Sequence, residues 1–214
     1  MSIPDTSAAP IVIVRHGETD WNIGRRIQGR TDIPLNERGR SQAGEIAELL
    51  HGEGPWSRVI TSPLARAAET ARIISERLEL PAAEVVPDVI ERDFGPAEGL
   101  LVAEANTRWP GLDVPDAESP TALAERGASA FARILRDAPG SIVVAHGALI
   151  RAALTALSGA EAPRIRNGEA WLIAPAAHDP AFALHGDTLT AHESTDARPI
   201  AIRRLGTPAE QHEF

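Results

Sequence analysis

The sequence predicts an α/β protein, a three-layer α/β/α sandwich around a mostly parallel central sheet. Three observations predict it. Short apolar runs, IVIV at 11–14, RVITS at 58–62 and SIVVA at 141–145, read as strands buried on both faces, the pattern of a parallel sheet covered by helices. Stretches with apolar residues at helical spacing separate them, and such alternation implies right-handed crossovers. The length of 214 residues corresponds to about 1.4 average domains. A chain of this size buries about 70% of its surface on folding, so one domain over 1–214 with a sizeable core is expected.

The elements follow in chain order. IVIV stops at Arg15-His16-Gly17, which places that motif at the carboxyl end of a strand. Residues 20–35 carry several glycines and arginines; LNERGRSQAGEIAELL then sets Ala43, Ile46, Ala47 and Leu50 on one helical face behind an Asn36 cap. RVITS is followed by Pro63, which suits the first position of a helix capped by Ser62, with Leu64, Ala67, Ala71, Ile74 and Leu78 on its apolar face. EVVPDVIERDF joins a strand-like run to a turn. The stretch 95–120, rich in Pro, Gly and Trp, reads as irregular and belongs to a substrate-facing insertion at about 93–120. A long helix over 121–136 precedes SIVVA, which again runs into His-Gly, and ALIRAALTAL is helical. WLIA, AFALHGDTLTAH and RPIAIRRL read as late or edge strands.

Composition removes whole classes of function. The chain has no cysteine, which excludes disulfides, thiolate metal sites and thiol catalysis and fits a reducing cytoplasm, the expected location. A net charge of −9 argues against nucleic acid or anionic membrane as partner, since both reward basic surfaces. All 21 cationic side chains are arginine, so a Schiff-base lysine and a lysine phosphate clamp are excluded. That bias in an alanine-rich chain reflects genome composition more simply than function. MSIPDTSAAP lacks a basic region before an apolar run, and SIVVAHGALIRAALTAL is interrupted by His146 and Arg151, so neither a signal peptide nor a membrane span is expected.

The chemistry gathers at strand ends, where open α/β sheets bind ligands. His16 and His146 each follow a buried strand and precede a glycine, Gly17 and Gly147, which lets backbone and helix amides approach an anion. Arg15 adds a cation, and Arg66, in the first turn of its helix, can reach back over the same place. Phosphoryl transfer needs positioning and charge stabilisation, and a neutral imidazole becomes a nucleophile when cations depress its pKa. His16 fits that role. A leaving alkoxide also needs a proton, for which Glu91 is the best-placed acid, with Glu18, Asp20 and Glu98 as weaker candidates.

The runs RHGETDWN, GRTDIPLNERGRSQA, SPLARAAETA, ERDFGPAEG and VVAHGALIR resemble, in order, the signatures of the histidine phosphatase superfamily, in the branch containing cofactor-dependent phosphoglycerate mutases. The resemblance spans 11 to about 155 and is loose after about 160. It implies a phosphoglycerate mutase-like fold, a phosphorylated His16, and phosphoryl oxygens held by Arg15, Arg66 and His146. It further implies a hydrogen bond from Asn22, proton donation by Glu91, and substrate contacts from Gln28 and Gly29; Gly147, after the second strand-end histidine, is a further substrate-binding candidate. Neither metal nor cofactor is required; the partner implied is a small phosphorylated metabolite, and related proteins are often homodimers. Two departures stand out. Ala97-Glu98-Gly99 replaces the Trp-Glu-Gly common in such phosphatases, so the pocket rim differs. The stretch from Glu91 to His146 (146 − 91 = 55 positions) is shorter than in the glycolytic mutases, which favours hydrolysis.

The leading expectation is therefore a metal-independent phosphatase of a small phosphomonoester. Alternatives are a mutase that returns the phosphoryl group to another hydroxyl, and a silent domain that only binds a phosphometabolite. A binuclear metal hydrolase has no aspartate pair or His-x-His spacing behind it. Simpler roles also exist: Asn22 as a turn cap, Gln28 and Gly29 as turn residues, Glu91 in an ion pair with Arg92. His51, His178, His185, His192 and His212 read as surface residues, and Trp21, Trp56, Trp109 and Trp171 as core or rim. Selectivity is expected from Arg25, Arg26, Arg30 and the segment 93–119.

Overall fold

In the computed structural model, which describes residues 9–175, 188–190 and 200–206, the first strand shows why the sandwich has three layers. Successive side chains of a strand point to opposite faces. In β1 (Ile11–Arg15), Ile11 and Ile13 join one core while Val12 and Val14 join the other. The first core is closed by α5 (Pro120–Asp137) and α6 (Gly147–Ser158), through Phe131, Ile134, Leu149 and Leu154. The second is closed by α2 (Glu37–His51) and α3 (Ala65–Arg77), through Ile46, Leu50, Ala71 and Ile74.

Among the described residues, seven strands form one sheet. With β2 (Arg58–Thr61), β3 (Glu84–Val85), β4 (Ser141–Ala145), β5 (Ala170–Pro175), β6 (Thr188–Thr190) and β7 (Ile200–Gly206), the order is β3-β2-β4-β1-β5-β7-β6. Pairs β3·β2, β2·β4 and β4·β1 are parallel, and β1·β5, β5·β7 and β7·β6 antiparallel. Five strands thus point one way and β5 and β6 the other, so the expected mostly parallel sandwich carries an antiparallel edge. WLIA is β5 and RPIAIRRL contributes β7; of AFALHGDTLTAH only 188–190 is described. His178, His185, His192 and His212 lie outside the described residues.

Local rules account for several ends. The Asn36 side chain accepts from Gly39 N–H and caps α2 as expected, and Ser119 caps α5 in the same way. Two expectations need correction. The helix after RVITS starts at Ala65, with Leu64 as its first flank; the Ser62 hydroxyl accepts from Leu64 N–H at 3.3 Å and is also hydrogen-bonded to His146. The segment 95–120 is not irregular throughout: α4 (Val102–Arg108) and short 3₁₀ turns at Gly95–Ala97 and Pro110–Leu112 build it. Ile27, Ala97, Ala105 and Val114 give it a small core of its own, and α1 (Asp20–Ile23) lies beside it, with Trp21 against Gly99. Among the described residues, no helix is long and apolar enough to cross a membrane.

Candidate active site

Parallel strands deliver the candidate residues to one edge of the sheet. Register pairs Arg15 with Ala145, so the residues that follow, His16 and His146, emerge side by side; His16 N–H donates to Ala145 O at 3.0 Å. Their rings stand 5.2 Å apart, tilted by 58°. One strand further, Ser62 N–H donates to Val144 O at 3.1 Å, which brings the start of α3 and Arg66 to the same edge. Past β3, the chain turns through Pro87–Val89 and presents Glu91.

His16 is 2% and His146 0% exposed, and both are held well below the ordinary imidazole pKa. Burial is the main cause for each. The Arg66 and Arg15 guanidiniums add to it for His16, and Arg66, His16 and Arg15 for His146. The His16 imidazole is neutral at neutral pH, and its tautomer is set by chemistry: Nδ1 lies 2.6 Å from Gly17 O, which can only accept. The proton is therefore on Nδ1, and Nε2 keeps its lone pair. His146 Nε2 is hydrogen-bonded to Ser62 Oγ at 2.7 Å.

The two arginines are anchored by neutral groups. Arg66 Nη1 and Nη2 donate to Thr31 O (2.9 Å) and Gly29 O (2.7 Å), and Arg15 Nη1 donates to Ile165 O (2.8 Å). Burial pushes both pKa values down, Arg15 to about 10, so both stay charged at neutral pH. Arg15 Nε, Arg66 Nε and His146 Nδ1 are buried polar atoms with no protein hydrogen-bond partner. Two cations and their undirected donors around a lone-pair nitrogen form a cradle for a tetrahedral oxyanion.

Glu91, 8% exposed, joins this group: its charge acts on both Arg15 and Arg66. Its carboxyl accepts from Ala148 and Leu149 N–H at the start of α6 and from Arg92 N–H. The amides expected to face an external anion are therefore occupied by the protein's own acid. Gly147, expected to contact substrate, gives room to Arg15; a Cβ there would lie 3.1 Å from Arg15 Nε. Gly29 sits at φ +53°, where side chains are disfavoured, and a Cβ would fall 2.0 Å from Glu98 Oε1. Its carbonyl holds Arg66, while Gln28 beside it is buried with an Oε1 that has no protein partner.

Asn22 is placed on the cap of α1: its Oδ1 accepts from Thr19 N–H and from Asn167 Nδ2. Of the weaker acid candidates, Glu98 receives Arg30 N–H, Thr31 N–H and the Thr31 hydroxyl, tying the 28–31 loop to the insertion. Glu18 accepts from Asn36 Nδ2, and Asp20 is exposed at the start of α1. Asn167, which sequence reasoning missed, donates to the carbonyls of His16 and Gly17 at 3.1 and 3.2 Å and so supports the His16–Gly17 loop from β5's approach. Among the described residues, no three His, Asp or Glu side chains gather as a metal-binding group.

Residues 11–175 match the histidine phosphatase superfamily (branch 1). The chain belongs to that superfamily. Within it, this histidine phosphatase family member is 43% identical over 153 residues to a Bacillus subtilis protein named "Uncharacterized phosphatase PhoE", covering 71% of this chain and 78% of that one. It is 39% identical over 161 residues to Arabidopsis thaliana "Phosphoglycerate mutase-like protein 4", covering 69% and 70%. A mycobacterial glucosyl-3-phosphoglycerate phosphatase solved with VO3 superposes with a TM-score of 0.69 at 29% identity, covering 78% of this chain and 91% of that one. The relatives it matches thus include proteins named as phosphatases and one named as phosphoglycerate mutase-like.

Proposed function

We propose that this protein hydrolyses a small phosphomonoester through a phosphohistidine at His16, without metal or cofactor. The observation that carries the reading is the Gly17 carbonyl on His16 Nδ1, which leaves Nε2 as a neutral nucleophile between two guanidiniums. In the first step Nε2 bonds to phosphorus and the ester P–O bond breaks. Protonated Glu91 gives its proton to the departing alkoxide, which leaves as an alcohol. In the second, the Glu91 carboxylate takes a proton from water, the water oxygen bonds to phosphorus, and the P–N bond breaks. Inorganic phosphate, neutral His16 and protonated Glu91 are regenerated. Arg15, Arg66 and His146 stabilise the equatorial oxygens in both steps, with Asn22, Gln28, Gly29 and Gly147 around the substrate. The occupant is a small phosphorylated metabolite.

The test is phosphate release from an aryl phosphate and a panel of phosphometabolites, with and without EDTA, for the natural protein and His16→Ala. Activity that survives EDTA and disappears in the variant supports the reading. Loss to the chelator, or survival in His16→Ala, overturns it. A second reading, phosphoryl return to another hydroxyl as in a mutase, is favoured by the 39% identity to a phosphoglycerate mutase-like protein. Stable labelling of His16, stimulated by a bisphosphorylated sugar acid and without phosphate release, would decide for it.

A further inference from the structure

Glu91 lies in a stretch with no helix or strand to hold it, since the 3₁₀ turn Pro87–Val89 ends before it. Its carboxyl is fixed from one side by the amides of α6. Its backbone is held from the other side mainly by one side chain, with Arg30 Nε also donating to the Glu91 carbonyl at 3.4 Å. Arg126, on α5, donates Nη1 to the carbonyls of Asp88 (2.8 Å) and Ile90 (2.9 Å), and Nη2 to that of Glu91 (3.4 Å). Its remaining donors, Nε and the second Nη2 proton, go to the two carboxylate oxygens of Glu118, each at 2.8 Å. All five guanidinium protons are thereby used, three on the segment that carries Glu91 and two on one carboxylate.

Glu118 is bound in turn to the insertion. Its Oε2 accepts from Asp93 N–H at 3.3 Å and lies 3.6 Å from Arg30 Nη2, and its carbonyl accepts from Arg92 Nε at 2.8 Å. Burial would raise the Glu118 pKa, but the hydrogen bonds and charge of Arg126, with Asp93 N–H and Arg30, bring it below the ordinary carboxylate value. The pair is only 20% and 12% exposed in its side chains, unlike the i,i+4 pair Arg72–Glu76 at 57% and 62%. Such bidentate, shielded pairs fix geometry in a way surface pairs do not.

We propose that Arg126 and Glu118 are a positioning pair that holds Glu91 in register with the leaving oxygen, so that proton donation depends on a fork outside the phosphate cradle. The inference rests on Glu91 acting as the proton donor. It is separable from a merely structural role because proton donation matters only for a poor leaving group. The measurement is kcat/KM, which reports phosphohistidine formation, for phenyl phosphate and 2,4-dinitrophenyl phosphate. It uses the full chain and the variants Glu118→Gln, Arg126→Lys and Glu91→Gln.

General acids contribute about 10²–10⁴-fold, and Glu91→Gln should lose that on phenyl phosphate while nearly keeping the dinitrophenyl ester. Glu118→Gln and Arg126→Lys should lose about tenfold or more on phenyl phosphate and less than about threefold on the dinitrophenyl ester. They should add little in the Glu91→Gln background, as expected of residues acting through it. Equal losses on both esters, or full additivity with Glu91→Gln, overturn the positioning role. If Glu118→Gln fails to fold, Arg126→Lys carries the same comparison. If Glu91→Gln itself loses both esters equally, Glu91 is not the proton donor and both readings fall; if it discriminates while the pair variants do not, only this inference falls.

Discussion

The floor of the site and the insertion above it use the same residue type in opposite ways. On the floor, among the described residues, Arg15 and Arg66 donate to the carbonyls of Ile165, Thr31 and Gly29 and are hydrogen-bonded to no carboxylate. In the insertion, Arg30 meets Asp93 and Glu118, and Arg126 meets Glu118 bidentately. A carbonyl orients a guanidinium without neutralising it, whereas a carboxylate does both. The floor therefore keeps its guanidiniums unpaired by hydrogen-bonded carboxylates, with Glu91 acting on both through space, while around the insertion the pairs with Asp93 and Glu118 fix shape.

The sharpest way to break this comparison is on the floor. His16→Ala should lower phosphate release by about 10³-fold or more, since no other group replaces a nucleophile. A loss confined to one substrate would move His16 from chemistry to selectivity. Next is Gly29→Ala, which joins the two regions because its Cβ meets Glu98 while its carbonyl holds Arg66. Urea denaturation should show roughly 1–3 kcal/mol of destabilisation, with kcat/KM falling alongside. Unchanged stability would mean that Glu98 yields freely.

The buried histidines give a pH test of the floor. The fold keeps both below the ordinary value of 6.5, so the unfolded chain binds protons that the folded one refuses. Stability is then fully present above about pH 6.5 and falls as pH drops below it, by up to about 1.4 kcal/mol per unit for each histidine. Denaturation at a series of pH values should show this slope reduced in His16→Gln; an identical slope would contradict the assignment. The smallest effect belongs to the insertion. Arg30 and Asp93, with side chains 40% and 38% exposed, should couple by about 0.2–1 kcal/mol in a double-mutant cycle. A larger coupling would mean that the insertion is held as rigidly as the floor.

Sequence reading served the two regions unequally. IVIV and SIVVA were legible because strands buried on both faces are apolar throughout, and the strand-end histidines followed from where they stop. Asn36 was legible because capping is a local rule. Ser62 obeys the local rule only in part: its hydroxyl accepts from Leu64 N–H ahead of the helix and also meets a histidine 84 residues away, which the local pattern does not show. Asn167 was hidden for that reason too: its carbonyl partners lie 150 and 151 positions earlier. α4 was obscured by brevity, since seven residues give too little periodicity and its packing depends on a core built partly from Ile27. Arg126 carries no signal in the sequence, because only the folded path of 88–91 shows what it holds.

The hydrogen bond between His16 Nδ1 and the Gly17 carbonyl also has a stereochemical consequence. Under the proposed mechanism a group that arrives at Nε2 departs from Nε2, so hydrolysis would comprise two in-line displacements on the same axis. Each inverts phosphorus, and the handedness of an isotopically chiral phosphorothioate would emerge unchanged.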